Sequence, residues 1–135
     1  MPRESVFPIG PRDVWCQSGG SLYFPISRVM EASEVRMVRT GLRVAHLSGT
    51  MTMKVAIQIS NDPDSFDNSY TVLTSGGSSQ GGYSTTSNGE DLATAWGSDL
   101  SSVLTRAFVR FGVETSSSSS IAMARVSMRV EIRAC

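Results

Sequence analysis

The chain has 135 residues, of which 40% are hydrophobic and 18% charged, and its formal net charge is zero. That length suits one domain with a core of its own, without help from disulfides or metal. No run approaches the ~20 apolar residues of a membrane-spanning helix. Met1–Ser5 lead into no apolar signal core, because Pro8 and Pro11 interrupt the only apolar stretch, so no export signal is expected.

Charge is unevenly spread. Residues 1–54 hold seven basic and four acidic side chains; residues 55–105 hold Asp62, Asp64, Asp67, Glu90, Asp91 and Asp99 with no Lys or Arg; residues 106–135 hold five Arg against Glu114 and Glu131. Eleven of the twelve basic residues are Arg, with Lys54 the exception. Arg is enriched at protein interfaces and Lys depleted, which points toward ordered contacts.

Residues 1–30 contain four of the five prolines together with Val6, Phe7, Ile9, Val14 and Trp15. Proline disfavours helix and sheet interiors, so this segment reads as an extended N-terminal arm, with a first short strand at residues 22–24. Residues 31–135 are then the domain proper. Residues 27–32 have the makings of a single helical turn. Residues 34–48 change phase partway, which calls for a bulge near Met37–Val38 or a break at Gly41. In residues 51–60, Met51, Met53, Val55, Ile57 and Ile59 alternate with Thr52, Lys54, Ala56, Gln58 and Ser60. That is a half-buried antiparallel strand. Asn61-Asp62-Pro63-Asp64 is a turn, and residues 70–73 are the returning strand of a hairpin.

Residues 74–89 carry no formal charge and only Tyr83 as a sizeable apolar group, so a mobile loop is expected. Residues 90–96 could wind two helical turns before Gly97. Residues 103–113 have apolar character on both faces, as a strand would that is central or touches a partner. In the last strand Ala122, Ala124, Val126, Met128, Val130 and Ile132 line one face, and Arg125, Ser127, Arg129, Glu131 and Arg133 the other. Strands of this length between turn clusters predict an all-β antiparallel sandwich, jelly-roll-like.

Catalytic and metal chemistry find little purchase. His46 is the lone histidine, on an expected strand, with no nucleophile motif. Counted from Asp62, a calcium loop would need Gly where Asp67 stands and Glu where Leu73 stands. Cys16 and Cys135 have no CxxC partner and read as unrelated thiols. No phosphate-binding glycine loop occurs, no cofactor is expected, and the protein is not expected to be an enzyme. Arg125, Arg129 and Arg133 share a strand face at successive steps of about 13 Å. Arg106 and Arg110 share another. If the two strands paired, the arginines would stud one surface, whose alternatives are pairing with Glu on neighbouring strands or binding of nucleic acid, glycans or an acidic protein. Zero net charge and arginines without interleaved aromatics argue against nucleic acid. Trp15, Trp96, Tyr23, Tyr70 and Tyr83 would be the platform of a carbohydrate-binding module.

The hairpin Val55-Ala56-Ile57-Gln58-Ile59-Ser60-Asn61-Asp62 with Phe66, the strand Val109-Arg110-Phe111-Gly112-Val113 and the closing Arg125–Arg133 strand resemble small β-sandwich proteins of tailed-phage particles, and some carbohydrate-binding sandwiches. The first resemblance implies a virion structural protein, a capsid decoration, cement or tail-associated subunit, contacting other virion proteins and copies of itself. The second implies a glycan partner. Phe7, Ile9, Val14, Trp15, Arg125, Arg129 and Arg133 are the expected interface residues.

Overall fold

The computed structural model describes residues 3–17, 19–73, 84–85, 89–92, 100, 103–117 and 121–134; for residues 3–10, 84–85, 90–92 and 134 it describes the backbone alone. The chain forms β1 (Arg3–Cys16), β2 (Gly20–Pro25), β3 (Met30–Glu31), a 3-10 turn (Ala32–Glu34), β4 (Met37–Ser48), β5 (Thr52–Ser60), β6 (Thr71–Val72), β7 (Ser84–Thr85), β8 (Gly89–Leu92), β9 (Phe108–Ser117) and β10 (Ala122–Ala134). One sheet runs β1-β10-β4-β8. The other runs β2-β9-β5-β6, with β3 added to β9 and β7 to β5. All the pairings are antiparallel. The protein is an all-β antiparallel sandwich.

Alternation decides which side chains meet between the sheets. From β10 come Ala122, Ala124, Val126, Met128, Val130 and Ile132; from β4, Val38, Leu42 and Val44. Met53, Val55 and Ile57 of β5 and Val109, Phe111 and Val113 of β9 join them in one cluster. Each such side chain contributes about 1.5–3 kcal/mol when fully buried. The expectation for residues 103–113 holds in its central part: β9 lies between β2 and β5. It begins only at Phe108; ahead of it the Val103 and Leu104 amides donate to Leu100 O.

Several local expectations give way to pairing between distant segments. The expected helix at residues 90–96 begins instead as strand, since Glu90 to Leu92 join β8 against Gly41 to Arg43; residues 93–99 lie outside the described residues. The helical turn expected at 27–32 shifts to Ala32–Glu34. The phase change in residues 34–48 is also elsewhere. Val35 precedes β4 and is buried on its own account, and β4 runs unbroken through Gly41. Its irregularity comes where Arg125 faces Ala45 and Met123 faces Ser48. His46 and Leu47 there oppose Ala124 alone, a bulge in which His46 takes φ +57°. Of the expected mobile loop, residues 74–83 and 86–88 lie outside the described residues, while Ser84 and Thr85 pair with β5.

The sheets divide the chain differently from a 1–30 arm and a 31–135 sandwich. β1 pairs with β10 from Arg3↔Ala134 to Cys16↔Ala122, and β2 pairs with β9. Both segments are extended, as their prolines require, but as edge strands. Pro8 sits in that edge, and Gly10-Pro11 form a bulge opposite Ser127, the two settings a sheet tolerates for proline. Val14 and Cys16 are buried in the core. Thr115 Oγ1 of β9 donates to Trp15 O at 2.6 Å, bonding one sheet to the other. Arg12 closes the same edge by donating from Nη1 to Pro25 O, with its guanidinium 5.4 Å from the Phe24 ring centre. Cys135 lies outside the described residues; its neighbour Ala134 faces Arg3, at the opposite end of the β1–β10 ladder from Cys16.

Because β1 supplies core residues and an inter-sheet hydrogen bond, deleting residues 2–15 should unfold the protein. Far-UV circular dichroism and a urea melt of the truncated chain check this; a cooperative melt at the full-length midpoint would return β1 to the status of an arm.

Candidate interaction surface

The outer face of the first sheet carries the arginines. Antiparallel register sets Arg133 opposite Met37, Glu131 opposite Arg39, Arg129 opposite Gly41, Ser127 opposite Arg43 and Arg125 opposite Ala45. Glu131 is only 6% exposed although it faces outward. Its Oε1 accepts from Arg39 Nη2 at 2.8 Å, and its Oε2 lies 3.3 Å from Arg129 Nε, a charge contact without hydrogen-bond geometry. Arg125 Nε donates to Asp13 Oδ1 at 3.1 Å. By register Glu4 stands opposite Arg133, and Glu90 opposite Arg43. Among the described side chains the face thus carries the cross-strand charge pairs Arg39–Glu131 and Arg125–Asp13, the first of the alternatives open at the level of sequence. Arg110 belongs to the other sheet, so β9 and β10 do not pool their arginines. Its guanidinium lies 4.3 Å from the Phe66 ring centre, and its Nε donates to Gln58 Oε1 at 2.8 Å.

On the second sheet, residues 61–70 fold back over the outer face. Ser60 Oγ donates to Ser65 O at 2.6 Å, and Gln58 Nε2 to Asp67 O at 3.0 Å. This cover explains why Ala56, Gln58 and Ser60 are buried on the face their alternation assigns to solvent. Asp62 Oδ1 accepts from Asp64 N at 2.9 Å and Asp67 Oδ1 from Ser69 N at 3.1 Å, so two of the three aspartates cap the turn's backbone. Tyr70 stacks on Tyr23 with ring centres 5.2 Å apart. Tyr23 in turn lies over Gly112, where an added Cβ would come within 2.6 Å of the Tyr23 hydroxyl oxygen. Only glycine allows β2 and its tyrosine to approach β9 so closely.

These rings cover each other, which is the opposite of an open sugar platform. Tyr83 and Trp96 lie outside the described residues. Burial pushes the Tyr23 phenol well above its ordinary range, opposed by the nearby Arg110 and Arg12. Desolvation, then a hydrogen bond and charge from Glu114, push Tyr70 up to about 12.

The expected interface residues divide. Val14 is fully buried in the core and presents nothing to a partner, because its parity on β1 matches that of Cys16 and faces the second sheet. Phe7 and Ile9 stand opposite Val130 and Met128 in the β1–β10 register. Trp15 is 45% exposed, with an edge-on contact to Phe24 at 4.5 Å. Arg125 and Arg129 are exposed and Arg133 half-buried. Two residues missed in the sequence belong with them: Ile121 and Met123, 77% and 59% exposed. Their signal was present, since both occupy odd positions of a strand whose odd positions are polar from Arg125 onward. His46 lines an open cleft of about 360 Å³ with Asp13, Met123, Ala124 and Arg125, and no Ser, Thr or Cys stands among those residues as a nucleophile. Among the described residues no group of three His, Cys, Asp or Glu is placed to hold a metal.

No protein-family model and no curated protein matches the chain. Among solved structures it is similar to a chain in the structure of infectious bursal disease virus, Gx strain, at 13% identity and a TM-score of 0.53. The likeness covers 98% of this chain and 32% of that one, so the chain spans about a third of the length of its match. What the two share is the fold.

Two measurements bear on these surfaces. Glu131→Gln removes the carboxylate that Arg39 and Arg129 face and should cost about 1–3 kcal/mol of unfolding free energy, read from urea melts. A neutral result would mean that solvent already screens the pairs. The tyrosines give the second. With folded-state pKa values above the unfolded value, the folded chain holds more protons once pH exceeds about 10, so stability falls as pH rises from 10 toward 12. Melting temperatures between pH 9 and 12 should show that fall in the wild type and a shallower one in Tyr23→Phe/Tyr70→Phe.

Proposed function

We propose that this chain is a non-enzymatic structural subunit of a virus particle, acting through protein–protein contacts. The observation that carries the reading is the likeness, over nearly the whole chain, to a chain in a virus structure. The finer reading is a decoration, cement or tail-associated protein of a tailed phage, assembled in the host cytoplasm and joined to other virion proteins and to its own copies. It draws on the resemblance carried by the Val55–Asp62 hairpin and the closing Arg-rich strand. The charge pairs suit such a role: Arg39, Arg125 and Arg129 each stand against a carboxylate, so the face presents specific donors at short range instead of a diffuse positive field. Trp15, Arg125, Arg129 and Arg133 are the contact residues on this reading.

Antibodies against the chain should label intact particles banded on a density gradient, and a glycan array should give no binding. Signal confined to particle-free fractions would overturn the proposal. Saturable binding to a defined glycan would transfer the protein to the carbohydrate-binding class.

A further inference from the structure

We infer that the corner of the first sheet formed by Trp15, Ile121 and Met123, with the adjoining cleft of Asp13, His46 and Arg125, is a contact between two copies of this chain. Single exposed apolar residues are ordinary on a protein surface. Here the large hydrophobic side chains exposed among the described residues gather at one place. Trp15 and Met123 are ladder partners, and Ile121 lies two residues before Met123, just ahead of β10. Clustered apolar exposure marks interaction sites.

The backbone behind the corner is closely packed. At the turn from β4 to β5, Gly49 takes φ +89°, and a Cβ there would lie 2.8 Å from Ile121 O and 3.0 Å from Ala122 Cβ. The backbone of Ile121 is packed against that turn while its side chain points to solvent. Beside it, the His46 bulge leaves the cleft of about 360 Å³, walled by Met123 and by the Asp13–Arg125 pair. Protruding apolar side chains and a receiving cleft therefore sit side by side on one face.

The charges on the rim identify the occupant. Asp13 and Arg125 are both exposed, at 66% and 53% of their side chains, and they cancel. A uniformly charged polymer gains nothing from such a rim. A second copy related by a two-fold axis gains twice: its Arg125 meets this Asp13, its Asp13 meets this Arg125, and the Met123 of each chain enters the cleft of the other. Self-complementarity of that kind is what a two-fold interface requires. This names a partner for the particle subunit proposed above and rests on that reading for its biological meaning; the contact itself is measurable on the isolated full-length chain.

Sedimentation velocity from micromolar to submillimolar concentration tests it, with circular dichroism confirming that each variant folds. The wild type should dimerise, and Met123→Arg should weaken association by about tenfold or more. Asp13→Arg alone and Arg125→Asp alone should each sediment as monomers, and their equimolar mixture should dimerise. Mixing leaves each chain's own surface unchanged, so rescue can arise only across the contact. A wild type that stays monomeric, a Met123→Arg variant that associates as the wild type does, or a mixture without rescue overturns the inference. So does a monomeric wild type whose corner instead binds a different particle protein in a Met123-dependent way. A dimer insensitive to Met123→Arg refutes this contact and leaves the particle reading standing. Rescue on mixing, with no label on particles, does the reverse.

Discussion

The apolar contact between the two inward sheet faces is the constraint to which the other features answer. Phe111, Val113 and Val55 from one sheet meet Leu42, Val126 and Val130 from the other, all at most 1% exposed. Consecutive strands repeatedly change sheet: β1 leads to β2, β4 to β5 and β9 to β10 across the core. Each crossing must bring the chain from one layer to the other without exposing the interior. At the β4–β5 crossing this is done by a glycine with positive φ packed against Ile121 and Ala122. At the β1–β2 edge it is secured by polar bonds, Thr115 to the Trp15 carbonyl and Arg12 to the Pro25 carbonyl.

With one face of each sheet committed inward, the other must be made compatible with water, and the two sheets do this differently. The first uses cross-strand charge pairs, and the matched charges let Glu131 be buried on an outward face. The second is covered by its own chain, residues 61–70, whose Tyr70 and Phe66 rest on Tyr23 and Arg110. Among the described residues, the large apolar side chains left exposed, Trp15, Ile121 and Met123, gather at one corner of the first sheet.

Much of this architecture is legible along the chain. Alternation in residues 51–60 and 122–133 assigns the inward side chains correctly, and Asn61-Asp62-Pro63-Asp64 places the turn after β5, because both signals are local: parity tells which way a side chain faces, and Pro and Asx residues bend the backbone by themselves. What alternation leaves open is which strand lies alongside. Arg106 and Arg110 have the four-residue spacing of the β10 arginines, yet Arg110 lies in the other sheet and Arg106 ahead of β9. Residues 90–92 have helical spacing and become strand because β4 offers an edge to pair with. Val14 looks available in an apparent arm and is buried because β10 lies beside it over its whole length. The His46 bulge follows from the count of residues on two strands together, a quantity that neither strand holds alone. Facing is a property of neighbours in sequence, whereas partnership, burial and the cleft depend on contacts between segments more than a hundred residues apart, and only the packed tertiary structure decides those.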